Sequence, residues 1–162
     1  MIKATYQKHI LEFKRPSGTS RGVLKTKETW FLILYREGKW GIGECGILRG
    51  LSIDDRPDYE EMLAWTCKNI HLDRETLMEE LKEFPSIQIG VETAFLSLQS
   101  KTHPYEVFPS KFTKSEDAIE INGLVWMGNE AFMKEQIEEK LKEGFYCIKM
   151  KIGAIDFDSE IK

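Results

Sequence analysis

Residues 119–153, IEINGLVWMGNEAFMKEQIEEKLKEGFYCIKMKIG, decide the class of fold that this chain adopts. The apolar segment 119–126 predicts a strand, and the spacing of apolar residues over 130–143 predicts a helix. Gly144 stands where a glycine commonly ends a helix, and residues 145–152 predict a second strand. Strand, helix and strand in this order indicate a βαβ unit with parallel strands.

A single βαβ unit cannot bury both faces of a parallel strand pair. A closed barrel of eight such units takes about 250 residues, whereas only residues 119–162 are available here. We therefore expect either that the chain is part of a longer protein or that another chain completes the sheet. The Ile, Val and Met side chains of these strands would be left uncovered, which favours self-association into a homo-oligomer.

The segment before residue 102 has a different pattern. β-Branched and aromatic residues predict three strands: 2–13, 29–36 and 40–45. Glu37-Gly38-Lys39 predicts a hairpin turn between the last two, whereas Pro16 and two glycines within 14–27 predict a loop. Helical spacing then follows Pro57, in segments beginning near residues 59, 73 and 85. The second of these is predicted to run from Asp73, as its N-cap, to Phe84. We expect an α+β domain over 1–101, a linker over 102–118 and the start of a (β/α) barrel over 119–162.

Composition excludes several classes of function. The chain has 162 residues and a net charge of −4, with 41% hydrophobic and 31% charged residues, which is typical of a globular protein. This charge predicts no nucleic-acid partner, and no apolar run approaches the ~20 residues that span a membrane. Three widely spaced cysteines form no disulfide framework, which favours the cytoplasm.

Two lysines in Lys149-Met150-Lys151 are the first candidates for chemistry. Alternation along a strand places Lys149 and Lys151 on one face together with Cys147. Inside a barrel they would point toward the C-terminal mouth, where active sites lie. Neighbouring ammonium groups lower each other's proton affinity, so one of them could serve as a base near neutral pH. The alternative is an edge strand whose lysines block aggregation.

A basic segment and a lone carboxylate are the other candidates. Residues 14–27 hold five basic residues and no acidic one, and Arg21 could pair with a carboxylate ligand. A solvated basic loop is the alternative. Glu44 lies near the end of a predicted strand, in a glycine-rich stretch, and we expect it to be an ion-pair or hydrogen-bond anchor rather than a catalytic group.

These motifs together resemble the enolase superfamily, in its muconate-lactonising subgroup. The resemblance covers the whole chain and is carried by four segments: Gly43-Glu44-Cys45, Gly50-Leu51-Ser52, residues 85–92 and above all Lys149-Met150-Lys151. It implies an N-terminal capping domain followed by the first βαβ unit of a TIM-type barrel. Within the subgroup, residues 43–52 and 121–126 resemble a dehydratase, a carbon–oxygen lyase.

The resemblance also implies roles for individual residues. Lys151 would be the acid and base of a syn-dehydration that begins α to a carboxylate, with Lys149 as its cationic neighbour. A small-molecule carboxylate substrate would be bound by two loops: Thr19, Ser20, Arg21 and Gly22 in one, and Leu48, Gly50 and Leu51 in the other. Mg²⁺ would be the cofactor, with its ligands on later strands outside this sequence, so the chain alone is expected to be inactive.

Two other functions stay open at this point. A dipeptide epimerase or cycloisomerase of the same subgroup would use the same proton abstraction. A non-catalytic module would instead capture an anion with the basic segment and would need no added metal.

Overall fold

The structure, a computed structural model, describes residues 1–19, 22–151, 153 and 156–160. It divides into two compact units. The first comprises Met1–Glu12 and Thr26–Lys114, and the second comprises Phe13–Lys25 and Ser115–Lys162. Among the helices of the described residues, none is long and apolar enough to cross a membrane.

Three strands form one sheet, in the order β1-β2-β3: β1 Lys3–Thr19, β2 Gly22–Arg36 and β3 Lys39–Gly46. β2 and β3 are antiparallel, in a register that pairs Trp30 with Cys45. The hairpin predicted between them is confirmed. Glu37 and Gly38 make its turn with φ values of 53° and 77°, the left-handed conformation that such turns require.

The prediction of a loop over residues 14–27 is wrong. β1 continues to Thr19, and β2 already begins at Gly22. Hydrogen bonding between these neighbouring strands outweighs the local preferences of Pro16 and the glycines. β1 is the outer strand of the sheet, where a proline is tolerated because one edge has no ladder to complete.

Three helices follow the sheet: α1 Tyr59–Asn69, α2 Arg74–Glu80 and α3 Pro85–Gln99. The predicted N-cap of α2 is confirmed, since the Asp73 carboxylate accepts a hydrogen bond from the Thr76 amide at 3.0 Å. α2 ends at Glu80 rather than near Phe84. Leu81 and Phe84 both turn into the core before Pro85 starts the next helix.

Asp54, a residue that sequence analysis passed over, fixes the start of α3. Its side chain is almost completely buried, and its carboxylate accepts hydrogen bonds from the Ser86 amide at 2.8 Å and the Ser86 hydroxyl at 2.6 Å. The Tyr59 hydroxyl lies 2.6 Å from the same Ser86 oxygen. A distant carboxylate therefore satisfies an amide that the helix cannot pair by itself.

The core of the first unit depends on a close approach of β3 to α3. A Cβ added at Gly43 would lie 1.9 Å from the Gly90 carbonyl oxygen, and one at Gly41 would lie 2.4 Å from the Ala94 carbonyl oxygen. Conversely, a Cβ at Gly90 would lie 2.2 Å from the Cys45 Sγ. Strand and helix thus meet backbone against backbone, because three glycines share the interface.

A side chain of α3 also satisfies the outer edge of β3. The Ile42 amide donates to the Ser97 Oγ at 2.9 Å, and the Ser97 hydroxyl donates to the Pro104 carbonyl at 2.5 Å. β2 supplies the large residues that fill the space beside the glycines, namely Trp30, Leu32 and Leu34, all fully buried. Burial also raises the pKa of the Cys45 thiol to about 12, so this cysteine is a packing residue.

Besides the ends of β1 and β2, the described part of the second unit contains two short strands and two helices: β4 Gly123–Val125, α4 Glu130–Lys142, β5 Ile148–Met150 and α5 Phe157–Glu160. β4 and β5 are parallel, so the predicted βαβ unit is confirmed. Gly144 has a φ of 91°, as expected for a glycine just past a helix end.

The two strands of this unit are shorter than predicted. Residues 119–122 lie exposed before β4, and β5 begins at Ile148 rather than at residue 145. A strand requires hydrogen-bonded partners, and the two strands of this sheet pair over only three residues each. Ile152, at the predicted end of β5, lies outside the described residues.

We expect Gly43→Ala to destabilise the first unit by about 1–3 kcal/mol, the usual cost of overpacking a core. The new methyl would meet the Gly90 carbonyl, and a backbone atom cannot move aside as a flexible side chain can. Urea unfolding monitored by tryptophan fluorescence would measure the change. Lys39→Ala, at an exposed position of the same strand, should change stability by less than about 0.5 kcal/mol. Equal stability of Gly43→Ala and wild type would contradict the close approach.

Candidate active site

Lys151 lies immediately after β5, next to the end of β4. Its amide donates to the Val125 carbonyl at 3.2 Å, which extends the parallel pairing by one step beyond Met150. Its side chain is half-buried, and its Nζ lies 4.1 Å from the centre of the Trp126 ring. An ammonium over the face of an indole makes a favourable cation–π contact.

Lys149 has different surroundings. It is exposed and pairs in register with Leu124, an aliphatic residue. Cys147, on the same predicted face, is exposed with a free thiol. The two lysines of the motif are therefore unequal, since one rests against an aromatic ring and the other faces solvent.

Sequence analysis missed Trp126 and Gln136 as parts of this site. Gln136 of α4 is buried, and its side chain bonds both polar groups of the Trp126 backbone: Oε1 accepts from the amide at 2.9 Å, and Nε2 donates to the carbonyl at 3.0 Å. The parallel register was the signal that could have found Trp126. The residue after Val125 must lie beside the residue after Met150.

The predicted substrate loop around Thr19 and Gly22 is described only in part. β1 ends at Thr19 and β2 begins at Gly22, whose φ of 136° favours glycine. Ser20 and Arg21 lie outside the described residues. Phe13–Lys25 belongs to the same compact unit as the lysine motif.

The second predicted substrate loop, through Leu48, Gly50 and Leu51, belongs to the first unit and has a defined shape. The Leu48 carbonyl accepts hydrogen bonds from the amides of Leu51 and Ser52, each at 3.0 Å. The Ser52 hydroxyl accepts from the Leu48 amide at 2.9 Å. Gly50 has a φ of 72°, and Leu51 is exposed, so the loop presents an apolar side chain on a rigid turn.

Arg49, which sequence analysis did not single out, holds this loop. Its Nη1 lies 2.6 Å from Asp55 Oδ1, and the other oxygen of that carboxylate accepts from the Gly50 amide at 2.6 Å. Its Nε donates to Glu28 at 2.6 Å, and the guanidinium lies 5.7 Å from the centre of the Trp30 ring. One arginine therefore ties the loop to β2 through a bidentate, planar group.

The carboxylates around Arg49 are held in their charged form. The hydrogen bond from the Gly50 amide and then the Arg49 guanidinium lower the pKa of Asp55 below its ordinary value. The hydrogen bond from Lys8, at an Nζ–Oε1 distance of 2.7 Å, and then Arg49 lower the pKa of Glu28. The loop thus rests on a network of alternating charges.

Glu44 is an anchor, as the sequence predicted. Its carboxylate accepts from the Thr29 hydroxyl at 2.8 Å and lies 3.3 Å from the Lys27 Nζ, and these contacts lower its pKa. An open pocket of about 380 Å³ lies beside Glu44, and the buried Asp54 also lines it. Two carboxylates make this pocket unsuitable for an anionic ligand.

The residues present do not fit a magnesium site. Within ranges 1–19 and 22–151 and the few described positions beyond them, no three His, Cys, Asp or Glu residues cluster as metal ligands. Mg²⁺ prefers several oxygen ligands in octahedral geometry, which this part of the chain does not assemble.

Comparison with known proteins shows what the chain is similar to. No protein-family model matches the chain. The o-succinylbenzoate synthase of Desulfotalea psychrophila is 36% identical over 98% of this chain and 51% of its own length. The crystal structure of MenC from the same organism shares the fold with a TM-score of 0.73 at 29% identity, over 98% of this chain and 50% of that one. In sequence and fold, almost the whole chain is similar to the N-terminal half of these proteins.

Other solved structures share the fold at lower identity. The o-succinylbenzoate synthase of Thermosynechococcus elongatus, solved with Mg in its active site, has a TM-score of 0.70 at 22% identity, over 98% of this chain and 45% of that one. Dipeptide epimerases match with TM-scores of 0.67–0.71 at 16–18% identity. The chain spans about half the length of the curated relative that it matches.

The charge network around Arg49 predicts a loss of stability in acid. Because the pKa values of Asp55 and Glu28 are lowered by folding, their stabilising effect is complete above about pH 4.5 and is lost as pH falls through the lowered values. Urea midpoints measured at about pH 7, 4.5 and 3 should fall more steeply for wild type than for Asp55→Asn. Glu138→Gln, at an exposed position of α4, should follow wild type. Parallel curves for wild type and Asp55→Asn would show that the network does not link folding to pH.

Proposed function

We propose that this chain is the capping portion and first βαβ unit of an enzyme that produces o-succinylbenzoate in menaquinone biosynthesis. The reaction is a syn-dehydration by a carbon–oxygen lyase. The observation that carries the proposal is Lys151, half-buried against Trp126 at the C-terminal end of a parallel strand, in a chain similar to o-succinylbenzoate synthase over almost its whole length. The C-terminal ends of barrel strands are where such enzymes place their chemistry.

Lys151 would carry the proton in both halves of the reaction. As the neutral amine it takes the proton from the carbon α to the carboxylate, and the electrons of that C–H bond enter the carbon framework. The electron pair from the C–H bond then forms the new double bond as the carbon–oxygen bond breaks. The C–O electron pair leaves with the hydroxyl oxygen, and the Lys151 ammonium protonates that oxygen so that water departs. Proton and electrons balance, and the lysine is regenerated.

The remaining features of the proposal follow the same chemistry. The substrate is a small carboxylate. Thr19, Ser20, Arg21 and Gly22 bind it from one loop, and Leu48, Gly50 and Leu51 from the other. Mg²⁺ takes part, with ligands outside this chain, and the isolated chain is inactive.

The organisation and location of the protein are also proposals. Residues 1–101 serve as the capping domain, 102–118 as a linker and 119–162 as the beginning of the barrel. Three free cysteines support a cytoplasmic location, because thiols persist in a reducing compartment.

Lys151→Ala and Lys151→Arg should each abolish formation of o-succinylbenzoate in the natural protein that carries this chain. Alanine removes the base, and arginine stays protonated and cannot accept the proton. Product formation followed by ultraviolet absorbance would measure turnover. Lys142→Ala, which removes an exposed lysine of α4, should keep wild-type turnover. Substantial activity in Lys151→Ala, or greater sensitivity at Lys149, would refute the assignment of the base.

Arg21→Ala should reduce kcat/KM because one charged hydrogen bond to the substrate is lost. The loss corresponds to about 1.5–3 kcal/mol of transition-state stabilisation. We expect this because Arg21 lies in a segment with an excess of basic residues and would pair with the carboxylate of the substrate. Steady-state kinetics at low and high salt would separate a direct contact from general charge attraction, with Lys25→Ala as the control. Unchanged kinetics for Arg21→Ala would remove this loop from the substrate site.

Dipeptide epimerisation is the second candidate, because solved dipeptide epimerases share the fold. It begins with the same abstraction of a proton α to a carbonyl group, but the proton returns to carbon and no water is lost. Incubation with L-Ala-L-Glu in D₂O distinguishes the two. An epimerase incorporates deuterium into the dipeptide, whereas a dehydratase leaves the dipeptide unlabelled and forms o-succinylbenzoate from its own substrate.

A further inference from the structure

The side chain of Gln136 holds the backbone of Trp126 at both of its polar groups. It accepts from the Trp126 amide, donates to the Trp126 carbonyl and also reaches the Phe132 carbonyl at 3.3 Å. Trp126 lies one residue past β4, where the ladder of strand hydrogen bonds ends. A buried amide that pairs both groups fixes the position of the Trp126 Cα against α4.

The parallel register then determines what the Trp126 ring meets. Val125 pairs with Met150, so the next residues on each chain, Trp126 and Lys151, lie side by side. The indole ring lies 4.1 Å from the Lys151 Nζ. Lys149 has Leu124 as its partner, which offers no aromatic face. The arrangement therefore distinguishes the second lysine of the motif from the first.

A lysine used for proton transfer needs such a constraint. Its ammonium is a point charge on a flexible four-carbon chain, and an unrestrained Nζ samples many positions. A misplacement of about 1 Å can cost about 100-fold in rate. The face of a fixed indole attracts the ammonium and limits the rotamers of the side chain.

We propose that Trp126, held by Gln136, is a positioning residue that fixes the Lys151 Nζ for proton transfer. The proposal rests on the proton-transfer role of Lys151 that is proposed above. It assigns no contact with substrate to Trp126 or Gln136. Both act through the placement of the lysine.

Kinetics of the natural protein that carries this chain would test the role. Trp126→Leu and Gln136→Leu should each lower kcat by about 10- to 100-fold while KM stays within about twofold, because the base is misplaced but the substrate contacts remain. Trp126→Phe keeps an aromatic face and should retain kcat within about fivefold of wild type. Tyr146→Leu, which removes an aromatic side chain that is 88% exposed in the same unit, should match wild type.

A measurement independent of activity would test the contact itself. After ¹³C-methylation of the lysines, the Lys151 methyl signal, assigned by its loss in Lys151→Arg, should be shifted upfield by the ring current of Trp126. Trp126→Leu and Gln136→Leu should abolish that shift and leave the Lys149 signal unchanged. Circular dichroism would verify that each variant is folded. If Trp126→Leu does not fold, Trp126→Phe is used in its place.

The outcomes separate this proposal from the one on which it rests. A Lys151 signal that does not move in Trp126→Leu would overturn the positioning role. So would a lost ring-current shift with unchanged kcat while Lys151→Ala is inactive, and both outcomes leave the proposed function intact. An active Lys151→Ala would overturn the proposed function, and the positioning role with it. A tenfold or greater rise in KM with unchanged kcat would also overturn the positioning role, because it would place Trp126 in substrate binding.

Discussion

The backbone contact between β3 and α3 is the constraint on which the first unit depends. A strand and a helix normally pack through their side chains, but Gly41, Gly43 and Gly90 remove those side chains at the crossing. The helix therefore lies directly on the strand, and Ser97 can reach the Ile42 amide at the outer edge of the sheet. Larger residues at these three positions would separate the two elements and leave that amide unpaired.

The close contact also determines where the loop through Leu48, Gly50 and Leu51 lies. Because β3 is held against α3, the chain leaving Cys45 passes the start of that helix, where Asp54 bonds Ser86. Arg49 then ties the loop back to Glu28 on β2. The loop is thus fixed at both ends by charged groups, and its apolar residue Leu51 faces solvent.

The second unit shows how little structure is needed to place one lysine. Its two strands pair over three residues each, yet this short parallel ladder carries its pairing as far as Lys151, beside Trp126. Gly123 permits the strand to approach α4, since a Cβ there would lie 3.0 Å from Lys140 and 3.1 Å from Phe145. The helix is then near enough for Gln136 to reach the Trp126 backbone. The packing of α4 on the sheet therefore also determines where Lys151 lies.

The sequence by itself determined the order of elements, the Glu37-Gly38 hairpin, the Asp73 cap, the glycine end of α4 and the parallel pair, because each depends on local conformational preference or on apolar spacing. The Lys149-Met150-Lys151 motif was visible in the same way. Tertiary structure decided what the sequence could not. Strand pairing converted a predicted loop into the ends of β1 and β2. The partners of Arg49, Asp54 and Gln136 lie four to 32 residues away along the chain. The difference between Lys149 and Lys151 arises from the neighbouring strand. Such contacts depend on which elements pack together, and that choice is made by the whole chain rather than by any local pattern.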